Sequence, residues 1–164
     1  MTQGAAQPDR MSESRHAARL AAVQAIYQME LTGVDAETVT SEFVEHRFGQ
    51  EASEHPDEVF FGDIVRGVPH HQIEIDRSIV RCLASGWRLS RVDSILRAIL
   101  RAAVFELVAR EDVPARVILD EYVEISHAFF GGDEPAFINA ALDKLARRKR
   151  SSEFGNSPDD ETPL

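Results

Sequence analysis

Residues 89–110 read LSRVDSILRAILRAAVFELVAR, and this run constrains the fold more than any other. Val92, Ile95, Leu96, Ile99, Leu100, Ala103 and Leu107 recur at the spacing of an α-helix. Together they cover well over a third of a helical circumference. A helix so apolar must meet neighbours on more than one side. The spacing therefore predicts a central helix over about residues 90–109, with several other helices packed round it.

The rest of the chain supplies them. A first helix is predicted from about Arg15 to Leu31, with Leu20, Val23, Tyr27 and Leu31 on its apolar stripe. Ser12 or Ser14 suits its cap, and Gly33 ends it. On the same wheel Arg15 and Arg19 lie one turn apart and off the stripe, so they are expected to project away from the core. A second helix, about 36–48, carries Val39, Phe43 and Phe48. A third starts near Asp57 with Phe60, Phe61, Ile64 and Val68, and is broken or kinked at Pro69. A fourth, with Ile75, Ile79 and Leu83, ends at Gly86. After the central helix, PARVILDEYVEISHAFF and GGDEPAFINAALDKLARRKR form the last two, with Asp133 as a cap. No alternating strand run and no internal repeat occurs. The fold class is all-α, a bundle of about seven helices in two small subdomains sharing the Leu89–Arg110 helix. Residues 1–12 read as a flexible arm, 13–150 as the helical domain, and 151–164 as a flexible tail with an acidic end.

Catalysis finds little support. The single cysteine, Cys82, sits in an apolar-patterned segment and has no base nearby in sequence. His70 and His71 are adjacent in a kink and point apart, and no ligand-spaced partner serves both. His46 and His55 lie in a polar acidic region. No HExxH, phosphate loop or nucleophile elbow is present. Glu106, Asp120 and Glu121 lie near apolar faces, where a carboxylate serves either as a general acid or, more commonly, as a partner for arginine or a backbone amide. No enzyme activity, cofactor or metal is expected. The N-terminal stretch lacks the apolar core of a signal peptide, and no run of 18 apolar residues occurs, so a cytoplasmic protein without membrane contact is expected.

Charge raises a sharper question. The chain holds 18 Lys and Arg against 28 Asp and Glu, a formal net charge of −10. Its overall field repels polyanions. Yet cations concentrate in two places, at Arg10, Arg15, His16 and Arg19, and at Lys144, Arg147, Arg148, Lys149 and Arg150. Each cluster reads either as a solvated helix end or as a local grip on single-stranded RNA, for which the planar fork of arginine is well suited.

Three stretches, RHAARLAAVQAIYQMEL, LSRVDSILRAILRAAVFEL and VPARVILDEYVEISHAFFGGDEPAFINAALDKLAR, resemble in order and spacing the NusB family of bacterial transcription antitermination factors. The likeness runs from about Arg15 to Arg147. It implies an all-helical fold in two subdomains and a non-catalytic role. It also implies binding of boxA, a short single-stranded RNA element, together with NusE, which is also a small-subunit ribosomal protein. That complex joins elongating RNA polymerase with NusA and NusG and supports processive transcription of ribosomal RNA operons. The family's arginine-rich start maps onto Arg15, His16 and Arg19, and an aromatic on its RNA side maps onto Phe129, which reads here as either a stacking platform or core.

The sequence departs from the family pattern at several positions. His16 stands where arginine is common, and Glu74 where some members carry an aromatic. Ile138–Ala140 replaces a VNG motif, and Asp120 and Glu121 stand where many members have Asn followed by Glu. A basic ribosomal partner suits the acidic side made of Glu42, Glu45, Glu51, Glu54, Asp57 and Glu58, with Glu42 and Glu45 as the contact residues to test. Homodimerisation stays open. The alternative is a helical protein-interaction module whose basic clusters read no RNA. A ribosomal RNA methyltransferase sharing this fold requires a large second domain, for which 164 residues leave no room.

Overall fold

The computed structural model describes residues 6–48, 55–83, 89 and 92–155. Seven α-helices follow one another: α1 Ala6–Thr32, α2 Ala36–His46, α3 Glu58–His70, α4 Gln72–Cys82, α5 Ser94–Ala109, α6 Ala115–Phe129 and α7 Glu134–Lys149. A short 3-10 helix, Ser151–Phe154, comes last, and no strand occurs among the described residues. The fold is all-α, as the periodicity predicts. Glu51, Glu54, Gly86 and residues 156–164, all used in the sequence reading, lie outside the described residues. The chain divides into two compact units, Met1–His70 and His71–Leu164.

In the first unit α1, α2 and α3 pack on one another. Three phenyl rings form the centre of this packing. Phe43 stacks on Phe61 with centroids 5.5 Å apart, and Phe48 meets Phe61 edge-on at 4.9 Å. The face that α1 turns inward differs from the predicted stripe. Ala18, Ala22, Val23 and Ala25 are fully buried, whereas Leu20 and Tyr27 are half-buried and Leu31 is 62% exposed. Small side chains win the inner face because they let α1 approach closely, while the phenylalanines of α2 and α3 supply the volume. Helix α1 also begins before Arg15, at Ala6. Pro8 is tolerated there, since the first turn has no use for the missing amide. Asp35 caps α2 by accepting from the Thr38 amide at 2.8 Å, and Gly33, at φ +74°, ends α1.

In the second unit α5 packs against α4, α6 and α7. Ile99, Leu100, Ala102, Ala103 and Val104 are wholly buried, which meets the expectation of a central helix. Helix α5 belongs to the second unit, where three neighbours already surround it. Glu106 is wholly buried and accepts a hydrogen bond at 2.5 Å from the Tyr122 hydroxyl. The hydroxyl ties α5 to α6 and is a partner the sequence reading did not include.

Arg150 closes the same corner. The last carbonyls of a helix lack partners within it. Arg150 donates to the carbonyls of Leu107 at 2.8 Å, Arg110 at 2.8 Å and Glu106 at 3.3 Å, and to that of Val113 in the following turn at 3.0 Å. It also donates to Glu153 at 2.6 Å. Glu153 in turn accepts from the Ala115 amide at 2.9 Å and so caps α6. Residues assigned to a tail by the sequence thus complete the fold, and one arginine of the basic run is interior.

Arg150→Met is expected to lower stability by roughly 3–5 kcal/mol in urea titration, because several buried carbonyls and a carboxylate lose their donor. Arg147→Met, one turn away and half-exposed, is expected to cost less than about 1 kcal/mol. Equal costs would remove Arg150 from this role. The Ala115 amide, and then the Arg150 guanidinium, hold the Glu153 carboxyl below its ordinary value. A carboxyl lowered on folding contributes stability above its unfolded pKa and loses it as pH falls through the folded value. The urea midpoint of Glu153→Gln should therefore trail the wild type at neutral pH and converge with it in acid. A gap constant with pH would contradict this.

Candidate nucleic-acid interface

The basic start of α1 lies within the first unit, and the beginning of α3 holds it in place. The Ser14 hydroxyl donates to the His55 carbonyl at 2.9 Å, and the Asp57 amide donates to the Ser14 carbonyl at 3.1 Å. Asp57 Oδ1 accepts from the Phe60 amide at 3.0 Å and caps α3. Its other oxygen, Oδ2, stands 4.0 Å from Arg15 Nε. Asp57, counted by sequence with the acidic side, is thus part of the basic site.

Phe60 is buried beneath both arginines. The Cζ of Arg15 is 4.6 Å from the ring centroid and that of Arg19 is 4.8 Å. The two differ in access to solvent. Arg19 is 2% exposed, so the expectation that it projects away from the core is corrected. The alanine face of α1 draws the helix close to α3, and Arg19 falls on the inner side of that contact. The side chain of Arg15 is 30% exposed as a whole, but its Nε is buried and makes no hydrogen bond among the described residues. His16 is half-buried and Arg10 is exposed. The outward cations are therefore Arg10, Arg15 and His16, with Arg19 beneath them. The sequence reading missed Phe60 as a component of the site, although its place in the first turn of α3, two residues after HPDE, was readable.

Phe129 belongs to the second unit, as the last residue of α6. It is half-buried, as is Phe130, so neither ring is wholly core. Asn139 on α7 and Glu74 on α4 are exposed. Glu42 and Glu45 are exposed on α2 in the first unit. Glu42 accepts weakly from Gln28 at 3.4 Å, and Glu45 lies 3.9 Å from His46.

The catalytic candidates change little. Burial pushes the Cys82 thiol up, away from a reactive thiolate, while Arg148, Lys144 and Lys149 pull against it. His71 lies beside the Phe105 ring, centroids 6.1 Å apart. No helix among the described residues is long and apolar enough to cross a membrane.

The sequence profile of the NusB family matches residues 16–147. The transcription antitermination protein NusB of Maricaulis maris (strain MCS10) is 54% identical over 144 residues, covering 85% of this chain and 90% of the relative. Among solved structures, T. maritima NusB superimposes with a TM-score of 0.74 at 28% identity, over 87% of this chain and 97% of that one. A crystal structure of the antitermination factors NusB and NusE in complex with dsRNA gives a TM-score of 0.70 at 23% identity, over 82% and 97% of the two chains, a likeness of fold.

A guanidinium over a ring is worth about 2 kcal/mol when desolvated and about 0.5–1 kcal/mol when exposed. A double-mutant cycle of Arg19→Met with Phe60→Leu, read by urea denaturation, is expected to return about 1–2 kcal/mol of coupling. The cycle of Arg15→Met with Phe60→Leu should return less. Coupling near zero for Arg19 would separate it from the ring.

Proposed function

The chain belongs to the NusB family of transcription antitermination factors, and we propose that it binds single-stranded boxA RNA jointly with NusE. That family is non-catalytic, and no catalytic motif occurs in the sequence. The complex would act in the cytoplasm on elongating RNA polymerase, with NusA and NusG, during transcription of ribosomal RNA operons.

The observation that carries this reading is the state of Arg15. Its side chain is part-exposed and anchored through its stacking on Phe60, in a chain of net charge −10. A phosphate oxygen is the acceptor such a fork suits best. Arg10 and His16 extend the basic strip. Arg19 acts as a positioning residue, because its guanidinium lies under the strip against the same ring. Phe129 offers a part-exposed aromatic face, which suits the unstacked bases of a single strand better than a duplex. The related complex of NusB and NusE holds dsRNA, so strandedness belongs in the test. Glu42 and Glu45 give an acidic helix face for a basic ribosomal protein, by charge complementarity.

The test compares boxA RNA, a scrambled strand and a boxA duplex, each with NusE present. The single boxA strand is expected to bind most tightly. Arg15→Gln with His16→Gln should weaken it about tenfold or more and flatten the salt slope by about one. Equal affinity for the scrambled strand would overturn boxA recognition. RNA affinity unchanged in the double variant would favour the helical protein-interaction module instead. Glu42→Lys with Glu45→Lys is expected to weaken NusE binding, and an unchanged affinity removes α2 from that contact.

A further inference from the structure

The densest positive run of the chain separates into three states once folded. Arg150 is interior, donating to four carbonyls and Glu153. Arg147 pairs with Asp143 at 3.0 Å and lies 5.0 Å from the centroid of the Phe154 ring. Lys144, Arg148 and Lys149 are exposed and have no ion pair or hydrogen bond among the described residues. Lys144 and Arg148 share one side of α7, and Lys149 lies about 100° further round at its end. All three act on the buried Cys82 thiol at the end of α4, which packs against α7.

Helix dipoles reward cations in a last turn, but that does not account for the cluster. Helices α2, α3, α4 and α6 carry one basic residue each in the last turn, whereas α7 carries three there and Lys144 a turn earlier. Nor does the face look like a protein-docking surface. Such surfaces place aromatic or aliphatic anchors at their centre, and among the described residues none of the large exposed hydrophobics lies on α7. Long cations with no ion pair or hydrogen bond among the described residues fit a phosphodiester backbone. Lys144 and Arg148 are four residues apart, about 6 Å of rise, so they follow a chain of charges rather than a single anion.

We propose that Lys144, Arg148 and Lys149 form an auxiliary RNA-backbone site on the second unit, which holds nucleotides flanking the recognised element without reading their sequence. This rests on the RNA-binding reading above. The site supplies affinity and salt dependence, and specificity stays with the strip on α1.

The experiment uses the full chain with NusE and two single strands, boxA alone and boxA extended with uridines at both ends. The wild type is expected to prefer the extended strand. Lys144→Gln, Arg148→Gln and Lys149→Gln together should abolish that preference while leaving boxA alone within about twofold. The salt slope for the extended strand should become shallower by about two, from three contacts at roughly 0.7 each. All three positions are exposed, and an unchanged melting curve checks the fold. Equal weakening on both strands would make this a general field effect and overturn the site. So would an unchanged preference for the extended strand, including one accompanied by loss of a protein partner. If the wild type binds neither strand, the RNA-binding reading fails as well. A failure confined to the triple variant counts against this site alone.

Discussion

Burying a guanidinium costs several kcal/mol unless its N–H groups find acceptors and its faces find partners. The arginines 19, 97 and 150 are all under a tenth exposed. Arg150 gathers the end of α5, the turn after it and the cap of α6 through carbonyls and Glu153. Arg97 donates to the carbonyls of Leu89 and Val92 and to the Ser94 hydroxyl, at the start of the same helix. The central helix of the second unit is therefore secured by a buried arginine at each end. In the first unit Arg19 lies against the Phe60 ring, in the contact that joins α1 to α3.

This constraint sets what is left for function. A cation that is interior cannot meet a ligand, so the two basic clusters shrink to their outward members. On α1 these are Arg10, Arg15 and His16. On α7 they are Lys144, Arg148 and Lys149. The buried arginines serve them indirectly. Arg19 shares the ring on which Arg15 rests, and Arg150 holds the end of the helix that presents the other three. A negative overall charge limits loose adhesion to polyanions, so binding depends on the few cations each unit displays.

Much of the chain was legible because helical period is local information. The seven helices, the break between α3 and α4 just after Pro69, the end at Gly33 and the central α5 all follow from residues a few positions apart. Family membership was legible for a similar reason, since three stretches keep a characteristic order of residue types. The inner face of α1 was less so. Ranking by side-chain size favours Leu20, Tyr27 and Leu31, whereas the packed helix turns its alanines inward.

The sequence by itself determined the all-helical class, the central helix and the two places where positive charge collects. Each depends on spacing along the chain or on composition. Only the tertiary structure decided which cations are buried and which face water. Arginine is compatible with both states, since its stem packs like a hydrophobe and its fork can be satisfied by carbonyls far away in sequence. Arg150 is interior because Leu107, Arg110 and Val113 present their carbonyls to it, 43, 40 and 37 residues back along the chain. No local pattern at residues 144–150 encodes that distance, so the division between structural and displayed charge appears only when the helices meet.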